Sequence, residues 1–219
     1  VIKVYATCSG SKPCGYQSAP SVFLADELKA VVETAGTREL KVAAHAHGVG
    51  GINLAAASGV SSIDHGSYND AESHKIMRKN GVFLVSTMAV QPRILKDIKT
   101  AKGPMLDVMQ GFLDNHGPRM YAAHKAGVQL AAGSDAGVSP HGKNAYELEM
   151  YVKYGLTPEE AIKTATVNGA KLLGMEDKLG TIEAGKIADI IAVEQDPLED
   201  IKVLQDVAVV IKDGRIVKQ

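Results

Sequence analysis

The chain has 219 residues, 45% of them hydrophobic and 22% charged, with a formal net charge of −1 at pH 7. That is enough apolar material for a sizeable core, and near-neutral charge without a basic stripe argues against nucleic acid as the main partner. No apolar run approaches the ~18 residues of a membrane span. Cys8 and Cys14 share one loop and imply neither a disulfide framework nor a metal pair, so a reducing, cytoplasmic setting is the default expectation.

Residues 1–6 are β-branched and aromatic and read as a strand, with Lys3 inside the run. The sequence opens in that run without an initiator Met, so the chain is expected to be the C-terminal part of a longer polypeptide, and a targeting segment upstream stays open. A loop with Gly10, Pro13, Gly15 and Pro20 follows, then a helix from Ala25 that Gly36 stops. Residues 41–45 form a short continuous apolar run, expected as a strand buried on both faces, and it ends in His45-Ala46-His47-Gly48. A helix around residues 52–57 leads to a second strand ending in Asp64-His65-Gly66. An acidic cluster at Asp70 and Glu72 starts the next helix, which runs to about Gly81. Residues 82–86 are a third buried strand. The stretch 88–126 is expected to be mostly helical, broken at Pro92, Pro104 and Pro118. Residues 129–135 make another strand that ends in the carboxylate of Asp135, and helices are expected over 145–154, 157–166 and 168–173. Beyond Gly174 the pattern changes to strands at 180–182, 188–193, 207–212 and 215–217, with Asp213-Gly214 as a hairpin signal.

Alternating strands and helices imply a parallel sheet with right-handed crossovers. An open doubly wound sheet and a (β/α)8 barrel both fit. Thr7-Cys8-Ser9-Gly10 is a poor match to a phosphate-binding fingerprint. A barrel explains better why Lys3, His45 (with His47), His65 and Asp135 lie on several different strands, because such strands deliver their ligand-type residues to one mouth. Five units do not close eight strands, which again places the missing part upstream. A single histidine is more often structural, but strand-terminal His, His and Asp together are a standard donor set for a catalytic zinc that keeps a water. His74, His116 and His124 fall in helical stretches and read as surface or helix-packing residues.

The ordered segments Ile-Lys-Val-Tyr-Ala-Thr, Ala-Ala-His-Ala-His-Gly, Ser-Ile-Asp-His-Gly and Ala-Gly-Ser-Asp-Ala-Gly resemble barrel strands four, five, six and eight of the amidohydrolase superfamily. More narrowly, they are similar to its imidazolonepropionase-like branch of Xaa-Pro dipeptidases and zinc carboxypeptidases. Leu-Gly-Thr-Ile-Glu-Ala-Gly-Lys-Ile-Ala-Asp-Ile-Ile-Ala-Val and Val-Ile-Lys-Asp-Gly-Arg-Ile-Val resemble the same superfamily's small β-sandwich. The resemblance implies a TIM-type barrel portion, about strands four to eight, over residues 1–174, and C-terminal sandwich strands over 175–219. It implies that Lys3 is carboxylated by CO2 and bridges two zinc ions, that His45 and His65 bind the second metal, and that Asp135 binds the first and serves as general base. Desolvation beside cations lets such a lysine lose its proton and react with CO2, and a hydroxide held between the metals is the nucleophile. The family's first-strand His-x-His has no counterpart here, leaving four of six expected ligands. His47 and His141 are candidates to meet a substrate carboxylate, and Arg93 to clamp one.

The expected function is metal-dependent hydrolysis of an amide or peptide C–N bond, in a dipeptide or N-acyl amino acid. A cyclic amide of the imidazolonepropionate kind is the nearest alternative, and a truncated, inactive chain with a structural role is the alternative from another class. The expected partner is a small-molecule substrate, with neither nucleic acid nor membrane, and a homo-oligomer remains open.

Overall fold

Apolar runs of three to five residues line up as a parallel sheet in the computed structural model, which describes residues 1–8, 16, 17 and 19–219. The strands are β1 (Ile2–Tyr5), β2 (Val42–Ala46), β3 (Ser62–His65) and β4 (Phe83–Val85), and they pair in the order β1-β2-β3-β4. The register sets Tyr5 beside His45, His45 beside Asp64, and Ala46 beside His65. Strand order that follows chain order means each crossover returns to the neighbouring position, so the carboxyl ends of consecutive strands lie side by side.

The expected strand at 129–135 is reduced to a single parallel bridge between Leu84 and Leu130, held by Leu84 N–H to Gln129 O at 2.9 Å and Ala131 N–H to Leu84 O at 3.1 Å. The backbone leaves the ladder directly afterwards: Asp135 has a left-handed φ of 50°, and its carbonyl accepts the Val138 and Ser139 amides. An extended strand cannot continue through that turn.

Helices cover the sheet: α1 (Ala25–Gly36), α2 (Val49–Ala57), α3 (Ala71–Asn80), α4 (Gln91–Asp97), α5 (Pro104–Lys125), α6 (Tyr146–Lys153), α7 (Pro158–Ala165) and α8 (Val167–Leu173). Local chemistry sets their ends. Asp70 caps α3 by accepting the Glu72 and Ser73 amides, Gly81 closes it in the left-handed conformation, and Thr157 with Glu160 forms a capping box on α7. Pro92 and Pro104 stand in first turns, as expected, but Pro118 lies inside α5 and does not break it. The residue before it is Gly117, which has no Cβ to clash with the proline ring, and the Tyr154 ring occupies the space a side chain there would take. The core between sheet and helices contains Ile52, Ile63, Leu84, Met77, Met88 and Met120, all fully buried, each worth about 1.5–3 kcal/mol of transfer free energy.

The first two C-terminal strands are shorter than the hydropathy pattern predicts, and the last is one residue longer. β5 (Ile190–Ala192), β6 (Val209–Lys212) and β7 (Arg215–Lys218) form an antiparallel sheet in that order, and residues 180–182 are not a strand. Asp213-Gly214 makes the β6–β7 turn, with Asp213 at φ 50° and Gly214 at φ 74°. Cys8 is disulfide-bonded, contrary to the expectation of reduced thiols, and Cys14, Gly10, Pro13 and Gly15 lie outside the described residues. No helix among the described residues is long and apolar enough to cross a membrane.

Candidate metal centre

His45 lies one residue before the end of β2, His47 one residue after it, and His65 ends the neighbouring β3, and the three imidazoles meet. Ring centroids are 4.6 Å apart for His45 and His47, 4.6 Å for His45 and His65, and 4.8 Å for His47 and His65. One nitrogen from each ring falls in a group within 4.8 Å of the others. Backbone geometry aims them. His65 takes a left-handed φ of 71°, followed by Gly66 at 58°, so its ring is turned back toward β2. His47 is fixed by its amide donating to Thr7 Oγ1 at 3.1 Å and by a 2.9 Å contact of its Nδ1 with Ser67 Oγ. Gly51 allows this, because a Cβ there would sit 2.1 Å from Thr7 Cγ2.

Burial keeps the trio neutral. Desolvation is the largest cause in each case, moving His45 down and His47 and His65 well below the ordinary histidine range; neighbouring imidazoles add to it for His47 and His65, and the Lys3 charge adds to it for His45 and His65. Packing three imidazoles in contact is costly if they are charged, whereas neutral imidazoles are the form that binds a metal. The donor chemistry therefore fits a divalent transition metal.

The other expected residues are placed as follows. Lys3 is ion-paired with Asp64, which also accepts from Ser62 Oγ at 2.9 Å. Both Lys3 and Asp135 act electrostatically on His45, in opposite directions: the cation lowers its pKa and the carboxylate raises it. Asp135 itself is exposed on its turn. His47 belongs to the imidazole trio. His141 is exposed in the turn at 141–142, and Arg93 is exposed on α4 with Nε donating to Asp97 at 2.7 Å. Aromatic rings flank the trio. Tyr5 stacks on His45 at 4.5 Å, and Tyr16 meets His47 edge-on at 4.6 Å and Phe112 at 4.9 Å.

Of the two expectations for His116, surface or helix packing, the structure shows packing. It is buried on α5, with Nε2 3.3 Å from the His65 carbonyl and its ring 4.5 Å from Phe112. Phe112, His116 and Met120 recur at four-residue spacing, the mark of one helix face, so the sequence does carry that signal. Burial lowers His116 to about 4 from 6.5. Its folded value lies below its unfolded one, so its contribution to stability is present above pH 6.5 and is lost as pH falls through 4. At pH 5 the loss is about 2 kcal/mol, and His47 and His65 act in the same direction. Urea unfolding of metal-free protein at pH 7 and pH 5 is expected to show this, and His116→Gln to shrink the difference by that amount; an equal difference in the variant would exonerate His116.

A family model for the Amidohydrolase family matches residues 12–217, and the chain belongs to that family. Within it, the chain is 38% identical to ochratoxinase of Aspergillus niger over 204 residues, which is 90% of this chain and 42% of that protein. It is 28% identical to imidazolonepropionase of Shewanella woodyi over 204 residues, 90% of this chain and 46% of that one. The fold is similar to the crystal structure of a Xaa-Pro dipeptidase with methionine bound in its active site, with a TM-score of 0.89 and 36% identity over 100% of this chain and 54% of that one. It is similar also to the crystal structure of the A. niger ochratoxinase, at 0.89 and 37% over 99% of this chain and 50% of that one. The chain thus spans 42 to 54% of the length of these relatives.

Proposed function

We propose that the protein is a metal-dependent hydrolase of an amide or peptide C–N bond, with a dipeptide or N-acyl amino acid as substrate. The observation that carries this reading is the meeting of three neutral imidazoles at the carboxyl ends of adjacent parallel strands. Similarity to a Xaa-Pro dipeptidase supports the bond class. Strand order without reversal, continued by the Leu84–Leu130 bridge, supports a partial (β/α)8 barrel over residues 1–174, with residues 175–219 as strands of a small sandwich.

Zinc, two ions in a complete site, is the metal we assign, and when bound it supplies a polarised substrate carbonyl and a water acidic enough to attack near neutral pH. The chain's own residues do the rest. His45, His47 and His65 stay neutral through burial and offer their lone pairs. Asp135 accepts the proton of the attacking water and returns it to the leaving nitrogen. Lys3 leaves its pairing with Asp64 and gives one proton to solvent; the neutral Nζ then adds to the carbon of CO2 and releases a second proton to solvent, leaving a carbamate that would be a second anionic oxygen donor for the site. Tyr16 and Phe112 limit water on the His47 side.

Elemental analysis combined with a substrate panel tests this. Near-stoichiometric divalent metal, hydrolysis of dipeptides or N-acyl amino acids, and loss of activity on chelation are expected; metal-free, inactive protein would favour a structural role. His47→Ala is expected to lower metal content and activity together, by 10-fold or more in metal affinity. Full metal content with only a raised KM would return His47 to a substrate-contacting role. A second reading, a cyclic amide substrate, draws on the similarity to imidazolonepropionase, and the same panel separates it.

A further inference from the structure

Glu147 is buried in α6, and burial pushes its carboxyl up to about 7 even though backbone amides pull it down. It lies outside the imidazole trio, and a carboxylate in a core has to be held there by specific partners. Those partners are at the end of β4. Glu147 Oε2 accepts the Ala89 amide at 2.6 Å, and the Met88 and Thr87 amides also favour its charged form. Residues 88–90 form a 3-10 turn whose N-cap residue, Thr87, has a left-handed φ of 56° and makes no side-chain cap.

The missing cap explains the arrangement. A helical turn leaves its first amides without internal partners, and a threonine at the cap position ordinarily satisfies one of them. Here the Thr87 hydroxyl is engaged elsewhere. Its Oγ1 donates to the Ser86 carbonyl at 2.7 Å and lies 2.6 Å from His65 Nδ1. A hydroxyl has one hydrogen. The Ser86 carbonyl can only accept, so we assign the hydroxyl hydrogen to it; Thr87 Oγ1 then accepts from His65, which puts the proton on Nδ1 and leaves the Nε2 lone pair free.

We propose that Glu147 is a positioning residue: by accepting the Ala89 amide from α6 it caps the 88–90 turn and frees the Thr87 hydroxyl to hold His65 as the Nδ1–H tautomer. The link to catalysis rests on the reading of His65 as a metal donor, but the tautomer does not. The left-handed Thr87 backbone is strained, and the bond from the Ala89 amide to Glu147 helps hold the turn in that form. Outer partners that fix a ligating imidazole are typically worth 10–100-fold in metal affinity.

The test is the His65 tautomer in metal-free protein, read from long-range 15N–1H couplings of the imidazole, together with the zinc dissociation constant. Wild type is expected to show Nδ1–H. Glu147→Ala and Thr87→Val are each expected to give a mixture of tautomers and zinc binding weakened 10–100-fold. Glu147→Gln, which keeps an acceptor oxygen for the Ala89 amide, should retain the Nδ1–H form. Should the alanine variant fail to fold, Glu147→Asp withdraws the carboxylate by one methylene and is expected to behave like it. A folded Glu147→Ala or Glu147→Asp protein that keeps the pure Nδ1–H tautomer overturns the proposal. A shifted tautomer with unchanged zinc affinity upholds it, and removes His65 from the donor set instead.

Discussion

Asp135→Asn is expected to lower turnover 10²- to 10⁴-fold, the usual worth of a positioned general acid–base group, while most of the metal stays bound. Asparagine is the informative replacement. Asp135 sits at φ 50°, a conformation that asparagine tolerates and that costs alanine about 1–2 kcal/mol, so the turn survives and the measured loss is chemical. The carboxylate lies near enough to raise the His45 pKa, so some loss of cation affinity accompanies the substitution, but an uncharged oxygen remains. If Asp135 returns the proton to the leaving nitrogen, the defect should shrink for substrates with weakly basic leaving groups, such as p-nitroanilides or esters. Turnover of peptide and p-nitroanilide substrates, measured with metal content, checks both points. An equal loss on all substrates in step with metal content would make Asp135 a ligand alone.

The candidate site is legible in the sequence to the extent that it depends on strand ends. Apolar runs closing on His45-Ala46-His47 and Asp64-His65 mark positions where a buried strand meets solvent, and periodicity suffices to find them. What holds those residues in place is far less legible. Glu147 belongs to α6, where Met150 and Tyr151 follow at three and four residues, so it shares their buried face; reading it as an ordinary helix glutamate misses that. Its partners at 87–89 lie 58 residues upstream on the Ala89 bond, and no local pattern announces such a pairing. The left-handed backbone at His65, Thr87 and Asp135 is equally silent, because none of the three is glycine. Where the structure departs from the hydropathy pattern after the Leu84–Leu130 bridge, local strand propensity gives way to the turn that the Val138 and Ser139 amides close on the Asp135 carbonyl. Pro118 misleads in the opposite sense, since the glycine before it removes the clash that gives proline its breaking power.

Lys3→Ala is expected to lower metal occupancy and activity together, and the sign of the metal effect decides what Lys3 is. Lys3 is 43% exposed and paired with Asp64. If that pairing is its whole role, removing it costs at most about 1 kcal/mol of stability, as for other exposed ion pairs. It would also remove a positive charge that acts on both His45 and His65, so a cation at the imidazoles would bind more tightly in the variant. A carboxylated Lys3 has the reverse effect: the wild-type side chain is then an anion and an oxygen donor, and alanine loosens the metal. The two roles predict opposite shifts in zinc affinity. A second control separates the unpaired Asp64 from the lost donor. Lys3→Ala combined with Asp64→Asn removes the orphaned carboxylate, and it should remain as metal-poor as the single variant. Acetate or propionate should restore part of both metal content and turnover to Lys3→Ala, since an added carboxylate offers the two oxygens that the carbamate supplied. Zinc titrations of wild type and the two variants, with and without the added acid, give the result; unchanged or tighter zinc binding in Lys3→Ala, with wild-type turnover, would leave Lys3 as a strand lysine paired with Asp64.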